Sequence, residues 1–391
     1  MRFLISILAV FSFGLHLSYA QIPKLSEDSK ISLLTCAAGN ELYYAFGHSA
    51  FRVQDNAIGL DVVYNYGTFD FNQPNFYLNF VKGKMVYSLT RRTFERFLFE
   101  YEMEKRWVKE QVFDLTLEEK NELLAFFENN YLPENREYLY DPLYDNCSTI
   151  TGDVLKEQFG DRLQFNGSHL KNKFTFRQLV RKHLNINSWS SFGIDLTFGS
   201  NTDRQATVRQ HMFAPYFAMR QMRNTTLDNR PFLERERTVL DYGERSRNGF
   251  FPASPLFWFS LLFFFTAIIT YLDNKHKTRS KWLDFSIFFI TGLVGIFLCF
   301  LWFGTDHVYT VNNFNVLWAF PLNLGVAFVL IWNARLPEWI PKYIYAVLGL
   351  LGLTILFWIF QIQIFSPINS LLFAILATRY WYLLRCIKLK Y

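Results

Sequence analysis

Apolar residues fall along this chain in two regimes. From about residue 21 to 250 they recur among charged and polar positions, as in a domain that buries its own core. From about 251 onward they run in long blocks with short polar gaps. Five blocks approach the roughly 20 mainly apolar residues a helix needs to cross hydrocarbon: about 252–272, 283–303, 316–333, 341–361 and 367–385. A shorter apolar run, Phe3 to about His16, follows Met1-Arg2 and precedes Ser18-Tyr19-Ala20. A basic start, a short apolar core and a small-x-small end read as a secretory signal peptide over 1–20; the alternative is an uncleaved anchor helix.

The first regime predicts an α+β domain over 21–219, strands before helices. Ile31 to Cys36, residues 50–54, Val62 to Tyr66 and Lys84 to Thr90 read as strands, the third ended by Gly67. Thr116-Leu117-Glu118-Glu119 carries the Thr-x-x-Glu signature of a helix start, and Leu123, Leu124, Phe126 and Phe127 give that helix an apolar face. A second helix begins near Cys147 and ends at Gly160. The basic, polar stretch 220–250 reads as a linker to a transmembrane domain over 251–391.

Charge then sets orientation. With the first domain outside, Lys275, Lys277, Arg279 and Lys281 fall in an inside loop, Arg335 and Lys342 in the next, and Arg385, Lys388 and Lys390 in the inside tail. The outside gaps, about 304–315 and 362–366, hold no Lys or Arg. Every gap obeys the positive-inside rule. The net charge of +6 is spent at these helix ends, and no basic run interleaved with aromatics marks a nucleic-acid partner. Arg379 lies toward the inside end of the last block, where it can snorkel.

Candidate chemistry centres on one cysteine and one histidine. Cys147 stands in Tyr144-Asp145-Asn146-Cys147-Ser148-Thr149, directly before an apolar-periodic run. The first turn of a helix offers free N–H groups and the positive end of the dipole, which favour thiolate and can hold an oxyanion. His48, in Phe46-Gly47-His48-Ser49-Ala50-Phe51, begins a strand, and Gly47 lets another backbone approach. A strand-start histidine facing a helix-start cysteine is the arrangement of thiol acyl-transfer enzymes. Asn65 on the next strand is the candidate for orienting the imidazole, with Asp61 next. A Cys36–Cys147 disulfide is the competing reading in an exported domain. His48, His169, His183 and His211 lack metal-ligand spacing, and no dinucleotide or phosphate-loop fingerprint is present, so neither metal nor cofactor is expected.

At these residues the chain resembles a known family. Leu34-Thr35-Cys36, Glu41-Leu42-Tyr43, Phe46 to Val53 and Tyr64-Asn65-Tyr66-Gly67-Thr68-Phe69 are similar to its N-terminal motif. Tyr144 to Thr149 is similar to its cysteine motif, and Phe192-Gly193-Ile194-Asp195-Leu196 with Asp203-Arg204 to a later one. These are the Lnb-like membrane proteins of Bacteroidetes, lipoprotein N-acyltransferases with a periplasmic thiol domain. The resemblance implies a papain-like core in permuted order, histidine before cysteine, on a multi-pass inner-membrane protein. It implies transfer of an acyl chain from a membrane phospholipid to the α-amine of a lipid-modified N-terminal cysteine of lipoproteins. Cys147 would carry the thioester and His48 would act as its base.

Substrate contacts are expected from Tyr144 and Asn146 of the cysteine motif, from Arg52 after the histidine, and from Asp306, His307 and Asn312 in an outside loop. Ionisable groups where lipid meets water often serve a site. Two other function classes stay open: a membrane-tethered cysteine peptidase or amidase, which shares the thioester, and a non-catalytic envelope sensor or scaffold. Five spans exceed what a tether needs, and the inside loops are too short for an output domain.

Overall fold

The computed structural model describes residues 22–70, 72–243, 249–333 and 335–388. The expected signal peptide and Lys390 lie outside them. The first half is built on a seven-stranded antiparallel sheet. In chain order its strands are β1 (Lys30–Cys36), β2 (His48–Asp55), β3 (Leu60–Thr68), β4 (Val86–Thr93), β5 (Val108–Phe113), β6 (Glu137–Leu139) and, after three short strands, β10 (Leu233–Leu240). In space they run β10-β5-β1-β2-β3-β4-β6. The short strands β7 (Leu163–Phe165), β8 (Thr225–Leu227) and β9 (Arg230–Pro231) form a second small sheet. All four strands expected from the sequence are present, each within a few residues of its expected bounds.

The central strands do not alternate: six of the seven residues of β1 are buried. Both faces of the sheet are covered, so both side-chain sets lose water. One face packs Leu33, Phe51 and Tyr64 against helices α3 (Leu117–Tyr131) and α4 (Cys147–Phe159). The other packs Leu34, Ala50 and Val63 against Phe97 and Tyr101 of α2 (Phe94–Met103). Helix α3 starts with the Thr116–Glu119 capping box, and α4 starts at Cys147 and stops at Gly160, as its sequence pattern predicts. A short helix, α1 (Phe76–Lys82), joins β3 to β4.

Of the stretch expected as a linker, residues 220–240 are instead part of the domain. Residues 220–222 finish helix α8 (Pro215–Met222), and β10 closes the sheet by pairing with β5. The charged alternation Glu234-Arg235-Glu236-Arg237 marks an exposed edge strand, and its polarity is what made it read as a linker. Between β7 and α8 lie α5 (Phe176–His183), α6 (Trp189–Thr197) and the single turn α7 (Val208–His211).

The second half holds α9 (Pro255–His276), α10 (Lys281–Phe303), α11 (Asn323–Trp332), α12 (Ile340–Ile359) and α13 (Asn369–Lys388). Four of these are long and apolar enough to cross a membrane. The third expected span is the exception. Of 316–333 only the ten residues of α11 are α-helical; a 3₁₀ turn, Phe314–Leu317, and a Pro321 turn precede them. Pro321 has no N–H to continue a helix, and Asn315 and Asn323, both buried, hold side-chain hydrogen bonds beside the irregular backbone. Arg379 does not snorkel. It is fully buried and paired with Asp284 and Asp273, tying α13 to α10 and α9.

Candidate active site

Helix α4 presents Cys147 at its first position because Asn146 caps it. The Asn146 Oδ1 accepts from the N–H groups of Ser148 (2.8 Å) and Thr149 (3.0 Å), while the Thr149 hydroxyl accepts from the Asn146 N–H. The Asn146 amide also donates to the carbonyls of Pro142 and Phe213. Asn146 is therefore buried and structural, not a substrate contact. Its grip also commits two first-turn N–H groups that the sequence pattern offers to an oxyanion.

His48 begins β2 directly opposite Cys36 of β1. Gly47 makes this possible, since a Cβ there would lie 2.5 Å from the Cys36 carbonyl. The His48 Nε2 is 2.6 Å from the Asn65 Oδ1, so the expected orienting residue is in place. This leaves Nδ1 for the hydrogen bond between His48 and Cys147. Burial opposes charge on both groups, yet their mutual attraction prevails. It holds the Cys147 thiol below its ordinary value and the His48 imidazole above its own. Backbone N–H groups of Ser49 and Ser148 reinforce the thiolate. The arrangement is a thiol and an imidazole that each favour the other's charged form, aligned by an amide, the working set for nucleophilic attack on an acyl carbon.

Gly67 completes the centre. It lies where β3 bulges against β4, with φ +91°. A Cβ there would lie 3.3 Å from the Cys147 Cβ and 3.9 Å from the His48 Cε1. In the sequence Gly67 reads only as a strand end, because its proximity to Cys147 spans 80 positions of chain.

The other expected residues separate. Arg52 is buried in the sheet between Asp61 (2.7 Å) and Glu110 (3.0 Å), so it is a core ion pair, not a substrate contact, and Asp61 serves Arg52 rather than His48. Tyr144, Asp306 and Asn312 do converge. They line one groove of about 1280 Å³ with Lys84, Asp141 and Arg204, beside Asp145 and so two residues from the nucleophile. His307 is not in that lining. Its Nε2 lies 3.0 Å from the Phe80 carbonyl and its Nδ1 2.8 Å from the Tyr309 hydroxyl, which docks α1 onto the outside loop. A second cleft of about 920 Å³ opens on the β1 side, where Cys36 meets Lys105, Arg106, Lys182 and Arg220. Cys36 is a free thiol, and burial pushes it up to about 12; Cys147 is free as well.

The membrane half is bonded to this domain through α6. Its last carbonyls lack helical partners. Asn313 Nδ2 donates to those of Leu196 (2.8 Å) and Thr197 (3.0 Å), Asn315 Nδ2 to Leu196 (3.1 Å), and Gln363 Nε2 to Phe198 (3.4 Å). Gly199 lies against the same loop: a Cβ there would fall 1.9 Å from the Val311 carbonyl. From the domain side, Arg177 is buried between Asp195 and Asp203, and Asp203 accepts from the Ile364 N–H. Both outside loops thus meet the first domain, on the side the basic residues assign to them.

A family model for the Lnb N-terminal periplasmic domain matches residues 25–182, and one for the Lnb transmembrane domain, of five helices, matches 245–390. Neither the curated proteins nor the solved structures contain a match. With both halves matched in the family's order, and the cysteine and histidine of its motifs brought together at one centre, the chain belongs to the Lnb family, proteins that join a periplasmic domain to a transmembrane domain.

Proposed function

We propose that this protein is a lipoprotein N-acyltransferase of the bacterial inner membrane, with a permuted papain-like catalytic domain on the periplasmic side. The observation that carries this reading is the Cys147–His48–Asn65 set in a domain hydrogen-bonded to the outer loops of a membrane bundle. A thiol centre held there meets the acyl esters of phospholipids at the bilayer surface.

The Cys147 thiolate attacks the ester carbonyl of a phospholipid, and a C–S bond forms. Collapse breaks the ester C–O bond, and the leaving lysophospholipid oxygen takes the proton from the His48 imidazolium. The α-amine of a lipid-modified N-terminal cysteine then attacks the thioester. His48 accepts the amine proton, the C–S bond breaks, and an amide is left on the lipoprotein. Asn65 keeps the ring in plane through both steps. One cleft is lined by Asp145, two residues before Cys147, and a second by Cys36, the strand partner of His48, which suits a reaction with a donor and an acceptor.

Mass spectrometry of lipoprotein N-termini from cells with and without the protein tests this. An N-acyl group that depends on Cys147 is expected. Unchanged N-termini would overturn it, and release of free fatty acid in place of N-acylation would assign hydrolysis instead.

A further inference from the structure

Attack on an acyl carbon needs hydrogen-bond donors where the carbonyl oxygen becomes charged. Here the N–H groups of Ser148 and Thr149 are already taken by the Asn146 side chain. The N–H groups of Ser49 and Ser148 also bond the Cys147 sulfur, so a donor free of other bonds is the one best placed to serve the oxyanion, and such a donor is present. Tyr138 lies on β6, paired across the sheet with Tyr87 of β4. Its hydroxyl is buried and has no hydrogen-bond partner among the described residues. Such a group is rare in a folded protein and calls for a reason. A Cβ on Gly67 would lie 3.9 Å from this hydroxyl, as it would from the His48 ring, and 3.3 Å from the Cys147 Cβ. The space that Gly67 leaves open is therefore framed by nucleophile, base and an uncommitted O–H. Burial and the nearby Cys147 also hold the phenol far above its ordinary value, so it stays a neutral donor at any working pH.

We infer that the Tyr138 hydroxyl is the oxyanion donor of the Cys147 reaction. This rests on the acyl-transfer reading. As the C–S bond forms, the carbonyl π pair moves onto oxygen, and Tyr138 donates a hydrogen bond to it without losing its proton. When the ester C–O bond breaks, the pair returns and the hydroxyl is released.

The test is Tyr138→Phe in the full-length protein. Acylation of Cys147 by p-nitrophenyl butyrate, followed by stopped flow, should slow about 100- to 1,000-fold, the usual loss for one such donor. Alkylation of Cys147 by iodoacetamide develops no oxyanion and should proceed at the wild-type rate. The melting temperature should hold or rise, because the hydroxyl removed had no partner. Acylation within twofold of wild type overturns the assignment. An equal slowing of alkylation also overturns it, since Tyr138 would then act on the thiolate or the fold. If wild type is acylated no faster than Cys147→Ala, the acyl-transfer reading itself fails; if only the Tyr138→Phe result fails, that reading stands.

Discussion

At the scale of single residues, the candidate chemistry lies with two groups that burial pushes toward neutrality and whose attraction for one another favours charge. Cys147 is held below its ordinary value and His48 above its own, so each stabilises the charged form of the other. Lowering the pH through the depressed Cys147 value protonates the nucleophile. Raising it through the elevated His48 value removes the proton the leaving group needs. Acylation should therefore follow a bell-shaped pH profile whose limbs belong to the pair rather than to either residue. In His48→Ala the alkylation inflection of Cys147 should move up toward the ordinary thiol range; an unmoved inflection would refute the pairing. Cys147→Ala should abolish N-acylation with melting unchanged. Asn65→Ala should lower kcat at least about tenfold, roughly 1.4 kcal/mol of transition-state stabilisation, through a misaligned ring. Cys147, His48 and Asn65 were legible as a candidate set because each sits at a recognisable place on its own element. Gly67 and Tyr138 were not, because their meaning depends on what lies beside them.

At the scale of elements, two residues expected at the substrate prove to hold the scaffold. Arg52 is buried between Asp61 and Glu110, so Arg52→Ala leaves Glu110 in the sheet with one cation fewer. A loss of about 3–5 kcal/mol is expected, seen as a lowered denaturation midpoint. A variant that melts like wild type but binds substrate poorly would restore Arg52 to the site. Asn146→Ala removes the α4 cap and should cost about 0.5–2 kcal/mol, with the thiolate inflection of Cys147 shifting as the helix start loosens. Local pattern located α3 and α4 because capping boxes and apolar spacing are properties of short segments. For 316–333 the same reasoning found one of the five helices but not its length, because hydropathy does not distinguish a full span from a ten-residue helix behind a proline turn. It failed for 225–240 because an edge strand and a linker share the same polarity.

At the scale of the whole molecule, the first domain and the membrane bundle are joined by side-chain amides as well as by aromatic contacts such as Phe198 with Tyr309 and Phe192 with Phe259. Asn313, Asn315 and Gln363 supply the hydrogen bonds that the end of α6 lacks, and Gly199 admits the loop backbone. Replacing Asn313 and Asn315 together by Ala strands those carbonyls. Faster hydrogen exchange over 195–200 is expected, with lost N-acylation and unchanged iodoacetamide reactivity of Cys147. Retained N-acylation with faster exchange would show that the docking is not needed for turnover. The Asp195 and Asp203 motif takes its meaning here, as the partners of Arg177 at this junction.

The linear chain by itself determined the two-part plan and the membrane orientation, and it singled out Cys147, His48 and Asn65 as the candidates for nucleophile, base and orienting amide. These follow from hydrophobic length, from the cost of carrying charge across lipid, and from helix and strand ends, all of which act within one segment. Tertiary structure alone decided which charges pair, which amides bridge the halves, and that Gly67 and Tyr138 border the sulfur. Those contacts join residues far apart in sequence, and their energies come from burial and close approach that no segment possesses until the chain is folded.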